Sequence, residues 1–136
     1  MFWKNNKRSK TEKTSILETA IKYYKANQDD DMAMYLVFVA LAEEEIYLPY
    51  NDNGNLVSVS FGAYDVLPIF SRKENLGENE PVNLWGCHMI DCLDRLIAAE
   101  KNMIINPFSD GEIQLFIPYE CIEKMLIPVM EQRPRE

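Results

Sequence analysis

The longest apolar run in the chain, Met32–Ala42, has eleven residues and no charged side chain. A helix that crosses a bilayer needs about 20 apolar residues, so this run predicts a buried segment of a soluble fold. Its Val and Phe content would also suit a buried strand, but its length and its Ala, Met and Leu content favour a helix that ends near Glu44. The preceding Asp29-Asp30-Asp31 run suits a helix start, because carboxylates complement the helix dipole there. The remaining chain must therefore build a core around this helix.

A first helix is predicted before this run. Thr14 or Ser15 can cap it, and Glu18, three residues after Ser15, completes a capping-box pattern. Apolar residues recur at helical spacing beyond the cap: Ile16, Leu17, Ala20, Ile21 and Tyr24.

Short strands and turns follow the two helices. Asn51–Gly54 is a hairpin-turn pattern, and Pro68 indicates an edge position or a bulge in its strand. Ser71 is predicted to cap a short helix, and 77–81 to form a polar loop. We predict strands at 46–50, 56–61, 65–70, 82–85, 103–105 and 113–117, a helix over about 89–101, and a last helix from Pro118 to Pro128. This order predicts a single α+β domain: two N-terminal helices, a mixed sheet of about five or six short strands with helices packed on it, and a C-terminal helix.

The charge divides the chain. Residues 1–13 carry five basic side chains and one acidic one, a balance of +4, and the rest carries nine basic and 21 acidic ones, a balance of −12. We interpret 1–13 as a basic flexible leader, 14–128 as the domain and 129–136 as a polar tail. A body this negative repels phosphate, so nucleic acid is not an expected partner.

The location follows from the leader and the cysteines. The basic leader is not followed by the apolar stretch that a secretory signal needs. Three cysteines are few and odd in number, which does not suit a disulfide framework. We predict a cytoplasmic protein with no membrane contact.

Three short motifs now resemble a known family. Leu48-Pro49 at a strand end, the run 67–71 (LPIFS) before a charged short helix, and the run 104–108 (IINPF) resemble the amino-terminal domain of SseB family proteins in order and spacing. The resemblance covers roughly residues 15–126. It implies a bacterial cytoplasmic protein without established catalytic residues, and a stand-alone unit where larger members add a second, carboxy-terminal domain.

The residues with reactive side chains form no convincing catalytic set. Cys87, His88, Cys92 and Cys121 could supply zinc ligands or a Cys–His nucleophile, but adjacent residues point apart and the spacing lacks two short ligand pairs. Thiols packed as small hydrophobic groups are the favoured interpretation. We predict no cofactor, no metal and no enzymatic activity.

The expected function is therefore binding. Trp85, Asn106 and Phe108 are the proposed partner surface, although Asn106 before a proline is also typical of a turn. The first hypothesis is a non-enzymatic protein-binding or regulatory module of the SseB amino-terminal type. Its expected partner is a protein, and a basic protein would suit the acidic body. The alternatives are an acidic immunity-like inhibitor of a basic toxin, and an enzyme that uses the four Cys and His residues. The sequence predicts no particular oligomeric state.

Overall fold

The computed structural model describes residues 15–77 and 83–132. The predicted leader 1–13, most of the predicted loop 77–81 and the last four residues lie outside these ranges. The elements in chain order are α1 (Ile16–Ala26), α2 (Asp31–Glu43), β1 (Ile46–Tyr50), β2 (Val59–Phe61), β3 (Tyr64–Ile69), a 3₁₀ helix (Lys73–Leu76), β4 (Asn83–Cys87), α3 (Met89–Ala99), β5 (Met103–Ile105), β6 (Leu115–Ile117) and α4, which is α-helical over Tyr119–Cys121, forms a π turn over Ile122–Leu126 and is α-helical again over Ile127–Glu131.

The amino terminus of α1 is closed by two side chains. Ser15 is the N-cap, and its Oγ accepts a hydrogen bond from the backbone N–H of Glu18 at 3.2 Å. The carboxylate of Glu44, just after α2, accepts from Ser15 Oγ at 2.6 Å and from the backbone N–H groups of Ile16 at 3.0 Å and Leu17 at 2.9 Å. Helix starts leave N–H groups unpaired, so Glu44 links the start of α1 to the end of α2. The side chain of Glu18 does not complete the predicted capping box and points elsewhere.

Helix α2 confirms the predicted helix but is not buried on all sides. Its inward residues belong to the core: Ala33, Val37, Phe38, Ala40, Leu41 and Ala42. Met32, Tyr35 and Leu36 are 55%, 37% and 43% exposed. No helix in the two described ranges is long and apolar enough to cross a membrane.

The six strands of the described ranges form two sheets. In the larger sheet the order is β2-β3-β5-β6, with β3 and β5 parallel and the outer pairs antiparallel. The smaller sheet pairs β1 with β4 antiparallel. Tyr47 and Phe70 join the sheets by exchanging two backbone hydrogen bonds of 2.9 Å. The predicted α+β class, with mixed strand directions, is confirmed.

The Asn51–Gly54 turn forms but does not lead into a long hairpin. Asn51 Oδ1 accepts from the backbone N–H groups of Asn53 and Asn55, and Gly54 has a φ of +83°. Only one bridge, Tyr50–Leu56, continues the pairing before the chain departs to form β2 against β3. The predicted strand 56–61 is thus shortened to Val59–Phe61, because Phe70 occupies the same edge of β1 at Tyr47, while β4 lies along the opposite edge.

The faces of the larger sheet carry two different sets of side chains. Residues at alternating positions, Leu67, Ile69, Met103, Ile105, Leu115 and Ile117, join side chains from all four α-helices in the main core cluster. Val66, Phe70 and Ile104, which are buried outside this cluster, point to the other face. Aromatic rings pack there: Phe116 lies between Phe61 and Tyr64 at centroid distances of 6.1 and 6.0 Å.

The last helix continues past Pro128, where we predicted its end. Pro128 is the second residue of the final α-helical segment, which runs to Glu131. A proline ring clashes with the carbonyl four residues earlier in a regular helix, but here that residue, Lys124, lies in the π turn. Val129 and Met130 are buried, so they belong to the core and not to the predicted polar tail.

Candidate functional site

A buried carboxylate, that of Glu18 in α1, lies beside the segment that follows β3. It is 3% exposed. Glu18 Oε1 accepts from Arg72 Nη2 at 2.8 Å, and Oε2 accepts from Arg72 Nε at 3.0 Å and from Asn75 Nδ2 at 3.0 Å. Ser71 Oγ also donates to Oε2. Arg72 therefore binds the carboxylate in a bidentate manner, and this arrangement fixes both side chains.

Asn106, after β5, completes this polar cluster. Its Oδ1 accepts from the backbone N–H of Ser71 at 3.0 Å, and its Nδ2 donates to Ser71 Oγ at 3.0 Å and to the carbonyl of Ile113 at 3.1 Å. Asn75 Nδ2 lies 3.1 Å from the same Oδ1. The Glu18 cluster, defined as Glu18, Ser71, Arg72, Asn75 and Asn106, thus joins α1, the end of β3, the 3₁₀ helix and the turn after β5.

The electrostatics of the Glu18 cluster favour a structural role. Burial alone would raise the pKa of Glu18, but hydrogen bonds from Arg72, Ser71 and Asn75, with the Arg72 charge, together hold that pKa below its usual value. No buried side-chain N or O atom among the described residues lacks a hydrogen-bond partner. A carboxylate that is ionised and engaged by fixed donors is poorly suited to accept a proton from a substrate.

The three thiols are placed in apolar surroundings. Cys87 and Cys92 are buried and Cys121 is half-buried. Burial raises the pKa of each of the three above the usual thiol value, which keeps them protonated near neutral pH. A protonated thiol is a weak nucleophile and a weak metal ligand, so these environments match thiols that pack as small hydrophobic groups.

His88 lies apart from this chemistry. It is exposed at the N-cap of α3, and its side chain makes no capping hydrogen bond. Within residues 15–77 and 83–132, no three or more His, Cys, Asp or Glu side chains form a group that could hold a metal ion.

The three residues predicted to form a partner surface are not brought together. Asn106 is fully buried in the Glu18 cluster, so this part of the prediction is corrected. Trp85 packs against the main core cluster, with the Arg95 guanidinium 4.9 Å from its ring centroid. Phe108 is 45% exposed and packs on Phe70, outside that cluster.

A shallow depression of about 520 Å³ lies between the loop after β1 and the end of α3. Leu56 and Leu67 contribute apolar surface, and Arg95 and Lys101 contribute charge. Both cations are engaged, since Lys101 Nζ lies 2.7 Å from the carboxylate of Asp65 and Arg95 covers Trp85. The depression therefore has no convergent set of unengaged titratable groups.

The outward side of the first two helices offers a different kind of site. Tyr23, Met32, Tyr35 and Leu36, here called the α2 face, are large apolar or aromatic side chains with exposures between 37% and 55%. Tyr23 Oη donates to Asp30 Oδ2 at 2.6 Å, which places Tyr23 beside the start of α2. Asp30 also caps α2 by accepting from the backbone N–H of Met32 at 2.9 Å.

Carboxylates border the α2 face. Asp29 and Asp31 are exposed at one end of α2, and Glu43 and Glu45 are exposed at the other. Residues 26–71 contain eight Asp and Glu residues and no Lys, Arg or His. The α2 face is thus apolar in the centre and acidic at its ends.

The sequence did not indicate the α2 face, because Met32–Ala42 is apolar on every side, which predicts burial on every side. No helical periodicity in this run distinguishes an inward from an outward residue. The signal that could have indicated it was the stretch of residues 26–71 without a basic residue, which covers the whole of α2.

Comparisons with protein-family models, with curated proteins and with solved structures find no match. The resemblance to the SseB amino-terminal domain therefore stays a prediction based on the three short motifs.

Proposed function

We propose that this chain is a non-enzymatic, cytoplasmic protein-binding or regulatory module of the SseB amino-terminal type, whose protein partner presents a basic surface. The observation that carries the proposal is the α2 face, an exposed apolar patch bordered by carboxylates. Exposed apolar patches are typical of interaction sites, and charge complementarity steers the approach of an oppositely charged protein.

The buried polar and thiol groups support a binding role over a catalytic one. Glu18 is held as a carboxylate by fixed donors, and burial raises the pKa of the three thiols. Neither arrangement presents an activated base or nucleophile to an open pocket.

The test is affinity capture from a native lysate with the full chain and two variants. Asp29→Asn with Asp31→Asn neutralises carboxylates beside the α2 face, and Asp110→Asn with Glu120→Gln neutralises two exposed carboxylates elsewhere. We expect one basic protein to be retained at low salt, released at high salt, and lost only from the first variant. Equal retention by both variants, or no retention by the wild type, would contradict the proposal.

An acidic inhibitor of a basic toxin is the second candidate. The same acidic border would be drawn to a cationic active site and would cover it. Co-expression distinguishes this role: the wild-type chain would relieve the toxicity of a basic enzyme encoded beside it, and the Asp29→Asn, Asp31→Asn variant would not.

A further inference from the structure

We infer that the α2 face is the docking site for an amphipathic helix of a partner protein, with basic residues at both ends of the helix's apolar stripe. This inference rests on the proposed function, because it names the surface and the partner chemistry of the same binding role.

The spacing of the exposed side chains suits a helix as the occupant. Met32, Tyr35 and Leu36 stand at positions i, i+3 and i+4 of α2, so they form one stripe along its axis. Half-buried Val39 extends the stripe by another turn. A second helix can pack its own i, i+3, i+4 ridge against such a stripe, as in helix-mediated recognition.

The carboxylates at the two ends of α2 indicate how far apart the basic residues of the partner helix lie. Asp31 and Glu43 are the first and last residues of α2, which puts them about 18 Å apart at 1.5 Å per residue. Asp30 is already engaged by Tyr23 and by the backbone of Met32, whereas Asp29 and Asp31 are exposed beyond it. A helix with Lys or Arg residues about 12 positions apart would place a cation near each acidic end.

The apolar side chains of the stripe argue against a partner that binds through charges alone. Exposed ion pairs contribute little and are screened by salt, whereas covering half-exposed Met and Leu side chains removes apolar surface from water. The two contributions together require a partner that is both apolar and basic.

The probe is a synthetic peptide of about 14 residues, built from Leu and Lys at amphipathic helical spacing, with a scrambled peptide of equal composition as its control. Affinity is measured by fluorescence anisotropy, and peptide helicity by circular dichroism. We expect the amphipathic peptide to gain helicity on binding and to bind about tenfold more tightly than the scrambled one.

Matched variants locate the binding. Met32→Gln with Leu36→Gln removes apolar surface from the α2 face with helix-compatible residues, and Ile90→Gln does the same at an exposed position of α3. The double variant should weaken binding about tenfold and the Ile90 variant should not. Circular dichroism of each variant checks that its fold is unchanged.

Four outcomes would overturn the inference: equal binding of the two peptides, an equal loss in the Ile90→Gln variant, a wild-type dimer that the double variant abolishes, or binding that appears only after Lys7, Arg8 and Lys10 are replaced by Gln. The third would assign the α2 face to a second copy of the chain, and the fourth to the chain's own basic residues.

Lysate capture without the expected peptide binding would overturn this inference alone. Peptide binding without a lysate partner would overturn the proposed function and keep the surface.

Discussion

At the scale of single residues, Asn106 shows how one side chain can be both a turn residue and a buried connector. Its φ of +53° lies in the left-handed region, which Asn tolerates better than most residues. Its amide joins Ser71 to the carbonyl of Ile113. The turn predicted from Asn before Pro is confirmed, whereas a role in surface recognition requires exposure that Asn106 does not have.

Two replacements of Asn106 distinguish the contribution of its side-chain hydrogen bonds to stability from that of its backbone conformation. Asn106→Ala and Asn106→Gly both remove the amide and should destabilise the fold by about 2–3 kcal/mol. Ala should cost about 0.5–1 kcal/mol more than Gly, because the left-handed conformation strains Ala and the greater unfolded-state entropy of Gly offsets part of that difference. Urea unfolding of both variants measures the difference. Equal stabilities would contradict the prediction, because the strain of the positive φ in Ala would then be no larger than the entropy cost of Gly.

Glu18 gives a second prediction at this scale. Glu18→Gln removes the charge that faces Arg72, and we expect a loss of about 2 kcal/mol, moderated because the Arg72 side chain is 36% exposed and can turn to water. The control is Glu112→Gln, whose carboxylate lies 4.0 Å from Lys22 on the exposed surface and should change stability by less than about 0.5 kcal/mol. Equal urea midpoints for the two variants would argue against a structural role of the Glu18 cluster.

At the scale of elements, Pro68 and Pro128 test the rules that place proline at strand edges and at helix ends. In β3, Leu67 donates to the carbonyl of Asn102 and Ile69 accepts from Asn106, so these odd-numbered residues bond toward β5. β3 is an inner strand of its sheet, so Pro68 does not have the predicted edge position. Its nitrogen, which carries no hydrogen, faces away from β5 into the gap between β2 and the Phe70–Tyr47 bridge, where no ladder hydrogen bond is needed. The rule that a proline ends a helix failed at Pro128, because a π turn precedes it and the sequence did not predict that turn.

Pairing of β1 with β4 depends on the absence of a side chain at Gly86. A Cβ atom there would lie 2.9 Å from Tyr47 Cε1 and 3.1 Å from Glu45 Oε2. We expect Gly86→Ala to destabilise the wild type by about 1 kcal/mol, because the Tyr47 ring must shift. In a Tyr47→Ala background the same change should be neutral or stabilising, since Ala is otherwise preferred over Gly in a strand.

The measurement for this pair is a double-mutant cycle by thermal or urea unfolding. The destabilisation caused by Gly86→Ala should disappear or change sign in the Tyr47→Ala background. The same destabilisation in both would show that the Tyr47 ring is not the obstacle.

At the scale of the whole molecule, the Glu18 cluster couples proton binding to folding. The folded-state pKa of Glu18 lies below its unfolded value of about 4.3, so its stabilisation is present above about pH 4.3 and is lost as the pH falls through the folded-state pKa. We expect the stability difference between wild type and Glu18→Gln to be constant from about pH 6 to 8 and to shrink below about pH 4. Urea titrations across this range check it, and a difference that grows in acid would contradict the lowered pKa.

The architecture of the molecule was partly predictable. The α+β class, the two first helices and the β5–β6 hairpin follow from period, turn residues and caps, which act between near neighbours. The pairing of β1 with β4 and the parallel contact of β3 with β5 were not predictable, because many strand partners satisfy the same alternation and the choice depends on packing across the chain. For the same reason, neither the Glu18–Ser71–Asn106 contacts nor the separation of Trp85 from Phe108 was visible in the sequence.

The sequence alone determined that the apolar run Met32–Ala42 forms a helix of an acidic chain, since its residues favour a helix and its length is about half of what crosses a bilayer. It also determined the local element types, because helical and strand periods and turn chemistry are properties of adjacent residues. Only the tertiary structure decided which side of α2 is covered. The core reaches Val37, Phe38 and Leu41 but leaves Met32, Tyr35 and Leu36 in contact with water, and it is this geometry that makes α2 a binding surface in our proposal.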